Sequence, residues 1–157
     1  LAGYISLLLY LGMGWAVEFY EDFKMEYDQF DAKVKEELVA QALALSNVGP
    51  HFGRPYVDTL KGSRHANMKE LRFDVGNEVW RVAFAFDPER KAILLAGADK
   101  RGKDQKRFYS KLINIADTRY SDHLVKLKKK EDYGNPTSKS TRRISKGQAG
   151  KNKGKGR

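Results

Sequence analysis

MKELRFDVGNEVWRVAFAF, residues 68–86, decides the fold. Apolar and polar residues alternate on both sides of Gly76-Asn77, the signature of two strands joined by a two-residue loop. Pairing outward from that loop sets Val75 against Glu78, Asp74 against Val79, Phe73 against Trp80, Arg72 against Arg81 and Leu71 against Val82. Leu71, Phe73, Trp80 and Val82 then share one face and form a core. Arg72 and Arg81 meet on the other face, where like charges directly opposite each other are destabilising. A fold that keeps such a pair has an anion to put there, so the two arginines are the first candidates for function.

A third strand, about residues 92–98, follows the loop Asp87-Pro88-Glu89-Arg90-Lys91, and its apolar run Ile93–Ala98 points to burial on both faces. Upstream, Trp15–Tyr20 (WAVEFY) alternates like a strand. Asp28 or Asp31 is placed to cap a helix that runs to about Leu45, with Phe30, Val34, Leu38, Ala42 and Leu45 on one side. Residues 50–67 read as loop, with a short turn at Tyr56–Leu60. A second amphipathic helix is expected from about Gln105 to Leu124, with Phe108, Leu112, Ile115 or Ala116, and Tyr120 toward the sheet. The order predicts a single α+β domain over residues 13–124. It has one twisted, mainly antiparallel sheet of about four strands with helices packed on one side.

The flanks differ from this body. Residues 1–12 (LAGYISLLLYLG) are apolar but too short to span a bilayer, and they lack the positive leading region of a secretory signal. With Met13 just before the first strand, they read as an extension, so no membrane partner is expected. Residues 125–157 hold twelve Lys/Arg against two Asp/Glu, and residues 128–157 are expected to be a disordered basic tail. The formal charge of +10 therefore lies in the tail, and residues 1–124 are neutral. Within those residues, 1–53 sum to −5 and 54–124 to +5. A basic tail beside a basic half-domain points to a polyanion, nucleic acid above all, although a solvated appendage explains the tail alone. The absence of cysteine excludes disulfides and thiolate metal sites. No metal-ligand spacing, Walker loop or dinucleotide motif is present, so neither a metal nor a small-molecule cofactor is expected.

Several words of this chain resemble the RelE/ParE superfamily of small bacterial toxins, and within it the phage-derived HigB-like subgroup. They are Met68-Lys69-Glu70-Leu71-Arg72-Phe73, Val79-Trp80-Arg81-Val82-Ala83-Phe84, Leu95-Ala96-Gly97-Ala98-Asp99-Lys100, Lys106-Arg107-Phe108-Tyr109 and Ala116-Asp117-Thr118-Arg119-Tyr120-Ser121-Asp122-His123-Leu124. The resemblance covers about Trp15 to Leu124. It implies a RelE-like fold and a cytoplasmic, ribosome-dependent endoribonuclease that cuts mRNA in the A site. It also implies a helix-turn-helix antitoxin as partner. The ParE branch shares the fold but inhibits DNA gyrase, and a non-catalytic RNA- or ribosome-binding protein is a further alternative, suggested by the tail.

Metal-free RNA cleavage needs a base for the 2′-hydroxyl, cations for the phosphorane, an acid for the 5′ oxygen and a surface that aligns the nucleotides. Arg81 lies beside Ala83 and Ala85, small residues expected to leave an accessible concave face, and its position matches the family's phosphate-contacting arginine. Its plainer alternative is an ion pair with Glu70. Arg72 lies opposite, with pairing to Asp74 or Glu70 as its alternative. Lys69 matches the family's catalytic lysine, although alternation puts it on the Leu71 face. Tyr109 is a candidate acid or stacking residue, with core packing as its alternative. His65, beside Arg64, is a candidate for the base step, while His51 and His123 read as structural. Arg64, Lys100, Arg101, Lys103, Lys106 and Arg107 are the candidate RNA-binding cations.

Overall fold

The computed structural model describes residues 14–134, so the expectations for residues 1–12 and 135–157 lie outside the described residues. The chain divides into two compact units, residues 1–123 and 124–157. In order, the elements are β1 (Ala16–Phe19), α1 (Glu21–Asp28), α2 (Ala32–Val48) and a 3₁₀ turn (Gly49–His51). Then come β2 (Val57–Thr59), β3 (Met68–Val75), β4 (Glu78–Phe86), β5 (Lys91–Asp99) and α3 (Gln105–Gly134).

The five strands form one sheet in the order β1-β5-β4-β3-β2. All pairings are antiparallel except that of β1 with β5. The hairpin register is the one read from the sequence, with Arg72 opposite Arg81, Phe73 opposite Trp80 and Leu71 opposite Val82. Gly76 opens the turn at φ +57°, a left-handed conformation in which a side chain is strained. The second hairpin is held by Asp87, whose Oδ1 accepts from the backbone N–H groups of Glu89 and Lys91.

The α+β class and the mainly antiparallel sheet stand, while four details differ. A fifth strand, β2, forms within the expected loop because Val57–Thr59 pairs along the edge of β3. An additional helix, α1, precedes α2, and Phe23 and Tyr27 bury its inner side. Helices cover both faces of the sheet rather than one. Phe30 packs on Trp80 at 4.8 Å between ring centroids, and Phe23 lies under Gly97, so α1 and α2 sit on the Leu71/Trp80 face. Helix α3 takes the opposite face, with Phe108, Leu112, Ala116 and Tyr120 buried on the side of Met68, Ala83, Ala85 and Ile93. Finally, α3 runs to Gly134 rather than ending near Leu124. Residues 125–133 contain no glycine or proline, and their lysines and leucine are good helix formers.

The larger core lies between the sheet and α1–α2, with Phe84, Leu38, Leu45, Phe23 and Leu71 at no measurable exposure. Phe84 sits at its centre, edge-on to Phe86. Phe84→Ala should lower the unfolding free energy by about 3–5 kcal/mol in a urea titration. A loss under about 1 kcal/mol would show that the core is centred elsewhere.

Candidate functional site

Strands β2, β3 and β4 carry a row of alternating charge on the face toward α3. Arg54 Nη2 lies 2.8 Å from Asp58 Oδ2. Arg72 Nη1 lies 3.4 Å from the same Asp58 oxygen and 3.5 Å from Glu70 Oε1. Glu70 Oε1 lies 4.0 Å from Arg81 Nε. The sequence places these groups together by simple register, since Asp58 pairs with Glu70 across β2–β3 and Arg72 with Arg81 across β3–β4. The anion that the arginine pair requires is thus supplied first by the chain itself.

The expected open surface around Arg81 is corrected by the structure. Ala83 and Ala85 are fully buried, and Arg81 is 6% exposed. These side chains lie in the core between the sheet and α3 and leave no open concavity. Arg81 Nη1 donates to the carbonyl of Trp80 at 2.8 Å, whereas its Nε makes no hydrogen bond among the described residues and meets Glu70 only as an ion pair. Glu70 is 3% exposed, and its Oε2 is likewise buried and unpartnered. Tyr109, on the first turns of α3, donates its hydroxyl to Glu70 Oε1 at 3.2 Å. Arg72 keeps 28% of its side chain exposed and is the accessible arginine of the pair.

The local field shifts four groups, and hydrogen bonds from Arg54 and the Thr59 N–H hold the Asp58 carboxyl below its ordinary value. Burial raises the Glu70 carboxyl above its ordinary value, against the opposing pull of the Tyr109 hydroxyl, Arg81 and Arg72. Burial also raises the Tyr109 phenol, with the Glu70 charge adding to it. Lys100 moves down, first because it is desolvated and then because Arg81 and Arg72 repel its charge. Its ammonium sits over the Tyr109 ring, 5.9 Å from the centroid.

Beside this cluster lies a groove of about 1290 Å³ between the β2–β3 edge, the loop after β2 and α3. Glu70, Arg72 and Tyr109 line it, and Arg54, Lys61, Arg64 and Lys106 supply further cations. The loop is tied to the helix by Asp117, which is buried. Its Oδ1 accepts from the Ser63 hydroxyl, and its Oδ2 accepts from the Arg64 N–H at 3.0 Å. Asp117 was missed as a site residue, because a lone aspartate on a helix gives no signal until its loop partners are known. Glu70 was read only as an ion-pair partner, and its central place follows from the burial that α3 imposes.

The remaining sequence candidates divide. Lys69 is on the opposite face, donating to the Pro50 carbonyl at 3.1 Å, because β3 keeps strict alternation from its first residue. His65 Nε2 lies 2.9 Å from Ser121 Oγ, and its ring meets Tyr120 edge-on. Ser121 is twelve residues along α3 from Tyr109, about 18 Å of helix rise, so His65 is not brought to the cluster. His123 pairs with Asp87 at 2.8 Å, while His51 is exposed. Arg101 reaches Asp99 and Glu78, and Lys103 lies over the Phe108 ring. Lys106 borders the groove, and Arg107 lies on the other flank of α3. No grouping of metal-ligating side chains occurs among the described residues, and none of their helices is long and apolar enough to cross a membrane.

The whole cluster falls within residues 25–121, the stretch matched by the model of the phage-derived Gp49-like proteins (DUF891). The chain belongs to the Gp49-like family. Among curated relatives, "Putative toxin HigB2" of Mycobacterium tuberculosis is 38% identical over 121 residues, 76% of this chain and 59% of that protein. "Putative toxin HigB3" of the same organism is 51% identical over 77 residues, 49% of this chain and 65% of that protein. The chain thus spans about three fifths of the length of these relatives. The resemblance to HigB-like proteins read from the sequence is borne out. A solved structure of the E. coli toxin RelE in the free state aligns with a TM-score of 0.46 at 14% identity, covering 64% of this chain and 95% of that one.

The raised Glu70 carboxyl has a measurable consequence. The folded chain holds this proton more tightly than the unfolded chain does. Between the ordinary and the raised values the folded state carries more protons, and stability falls as pH rises. Glu70→Gln removes that dependence. As pH rises from the ordinary carboxylate range through the raised value, the stability difference between the two proteins should move in favour of the glutamine variant, read by urea titration at each pH. A difference that stays flat, or that moves toward the native protein, would contradict the assignment.

Proposed function

We propose that this Gp49-like chain is the toxin of a toxin–antitoxin pair, an endoribonuclease that stops translation by cutting mRNA in the ribosomal A site. Its proposed cognate partner is a helix-turn-helix antitoxin. The observation that carries this reading is the groove whose floor joins Arg72, Tyr109 and Glu70 beside Lys100. The names of the two mycobacterial relatives support the toxin part.

In the chemistry we infer, the 2′-oxygen attacks phosphorus, the bond to the 5′ oxygen breaks, and a 2′,3′-cyclic phosphate forms. Arg72 holds the non-bridging oxygens as negative charge builds there. The Tyr109 oxygen takes the 2′-hydroxyl proton while its own proton passes to Glu70, whose raised affinity makes it a better acceptor near neutral pH. Lys100 protonates the departing 5′ oxygen, a role that its lowered ammonium value suits. Arg81 acts from beneath by holding Glu70, and Arg64, Lys61 and Lys106 follow the RNA backbone along the groove. Lys69 and His65 have no part in this scheme, because neither reaches the cluster.

Arg72→Ala and Tyr109→Phe each remove one partner of Glu70 and leave Arg81 beside it, so each carries a smaller folding penalty that the urea titration reads separately from activity. Arg81→Ala removes the buried partner of Glu70 and carries a folding penalty of about 3–5 kcal/mol. On induced expression, primer extension should reveal cleavage within translated messages. The two variants should cut about a hundredfold or more slowly while giving a native circular dichroism spectrum. Growth arrest with intact messages and relaxed plasmid would select gyrase inhibition instead. Full cleavage by Arg72→Ala would overturn the mechanism.

A further inference from the structure

Asp58, in the middle of β2, has both carboxylate oxygens engaged. Its Oδ1 accepts from the Thr59 N–H at 2.9 Å. Its Oδ2 accepts from Arg54 Nε at 3.0 Å and from Arg72 Nη1 at 3.4 Å. One oxygen thus bridges two guanidinium groups, the place that a non-bridging phosphate oxygen takes between two arginines. Strand register puts it there. Asp58 pairs with Glu70 across β2–β3, and the Arg72 N–H donates to the Tyr56 carbonyl at 2.8 Å.

Arg72 therefore has two anionic partners of different kinds. Glu70 is fixed, since its side chain is 4% exposed and Tyr109 donates to the same oxygen. Asp58 is movable, since its side chain is 31% exposed and lines the groove. Its other partner, Arg54, is 74% exposed and can follow it. Exposed ion pairs are weak, so swinging Asp58 away from Arg72 costs little. The carboxylate stays charged at neutral pH, because the hydrogen bonds from Arg54 and the Thr59 N–H lower its affinity for a proton.

We propose that Asp58 is a specificity-determining residue, an internal anion that occupies Arg72 and yields it to a phosphate held in a polynucleotide chain rather than to a lone anion. The inference rests on the ribonuclease reading, in which Arg72 is the phosphate ligand. A tethered carboxylate acts at a high effective concentration, so a small free anion competes poorly for the guanidinium. A polynucleotide competes well, because Lys61, Arg64 and Lys106 hold neighbouring phosphates and present the next one to Arg72. The groove then selects by the number of linked charges, not by charge alone. Asp58 touches no reacting atom in this scheme and acts through Arg72.

The test uses the full chain with two probes, inorganic phosphate and an RNA hexanucleotide whose 2′-methoxy groups prevent cleavage. Occupation of Arg72 is read from the NMR signal of its Nε–H group. Asp58→Asn keeps an acceptor for the Thr59 N–H and removes the charge. Phosphate should gain about two- to fivefold in affinity for this variant. The hexanucleotide should gain less, since its other phosphates hold it in either protein. Asp58→Glu, which restores the charge, should return both values toward those of the native chain. In the Arg72→Ala background, Asp58→Asn should leave the hexanucleotide affinity unchanged, read by fluorescence anisotropy. An equal gain in that background would overturn the proposal by assigning Asp58 to the general charge of the groove. No gain for phosphate, or a larger gain for the hexanucleotide, would overturn it as well. Failure of the ribonuclease reading shows differently, as intact messages beside a preserved response to Asp58→Asn. Cleaved messages without that response sink this inference alone.

Discussion

Two guanidinium groups placed side by side by a two-residue hairpin loop are the constraint around which the candidate site is organised. Register leaves no freedom: with Gly76-Asn77 as the turn, Arg72 and Arg81 must be neighbours. Their repulsion is offset by Glu70, one pair along on the same face, which lies within 3.5 Å of the first and 4.0 Å of the second. Burial under α3 makes that arrangement costly to disturb, since removing one partner leaves another charge stranded in a low-dielectric interior. The same burial leaves Glu70 Oε2 and Arg81 Nε without hydrogen bonds among the described residues. Arg81 and Glu70 therefore form a supporting layer, and Arg72 and Tyr109 stand at the accessible surface of the groove.

The hairpin register, the α2 face and the buried run of β5 were legible because each depends on local periodicity. Val34, Leu38, Ala42 and Leu45 recur at helical spacing and are buried as that spacing requires. What the sequence could not show was where α3 would land. Its amphipathic face fits either side of a sheet, and it takes the side that α1 and α2 leave open, burying Ala83 and Ala85 there. That choice turns an exposed arginine into a buried one and moves the accessible chemistry to Arg72. β2 was equally hidden, because three residues in a loop carry no periodic signal. His65 looked catalytic from its neighbours in sequence, yet its ring nitrogen is spent on Ser121.

Helix α3 thus has three separate tasks within residues 105–123. Its inner side completes the second core. One flank, with Lys106, Tyr109, Ile113 and Asp117, is a wall of the cationic groove. The other flank, with Arg107, Lys111 and Ile115, borders Ala96, Gly97 and Ala98 of β5. Asp117 shows how closely these tasks are joined, since one buried carboxylate on the helix holds the loop that carries Ser63 and Arg64. Moving this helix by even part of a turn would alter the core, the groove and the contact with β5 together.

The charge asymmetry along the chain becomes an asymmetry between the faces of the sheet. The acidic first third supplies α1 and α2, with Glu21, Asp22, Glu26, Asp28, Glu36 and Glu37 among their residues. These helices pack on the Leu71/Trp80 face. The basic stretch supplies Arg54, Lys61, Arg64, Arg72 and Lys106 to the groove on the other face. Residues 1–124 are neutral overall, so charge total gives them no general attraction to a polyanion. The separation of charge gives them a direction: one face carries the acidic helices, while the groove on the other sets five cations against Asp58, Glu70, Asp104 and Asp117. In the ribonuclease reading we propose, this asymmetry would select the orientation of an RNA strand before contact, which matters more than raw affinity for a groove whose proposed reactive groups lie on a single wall.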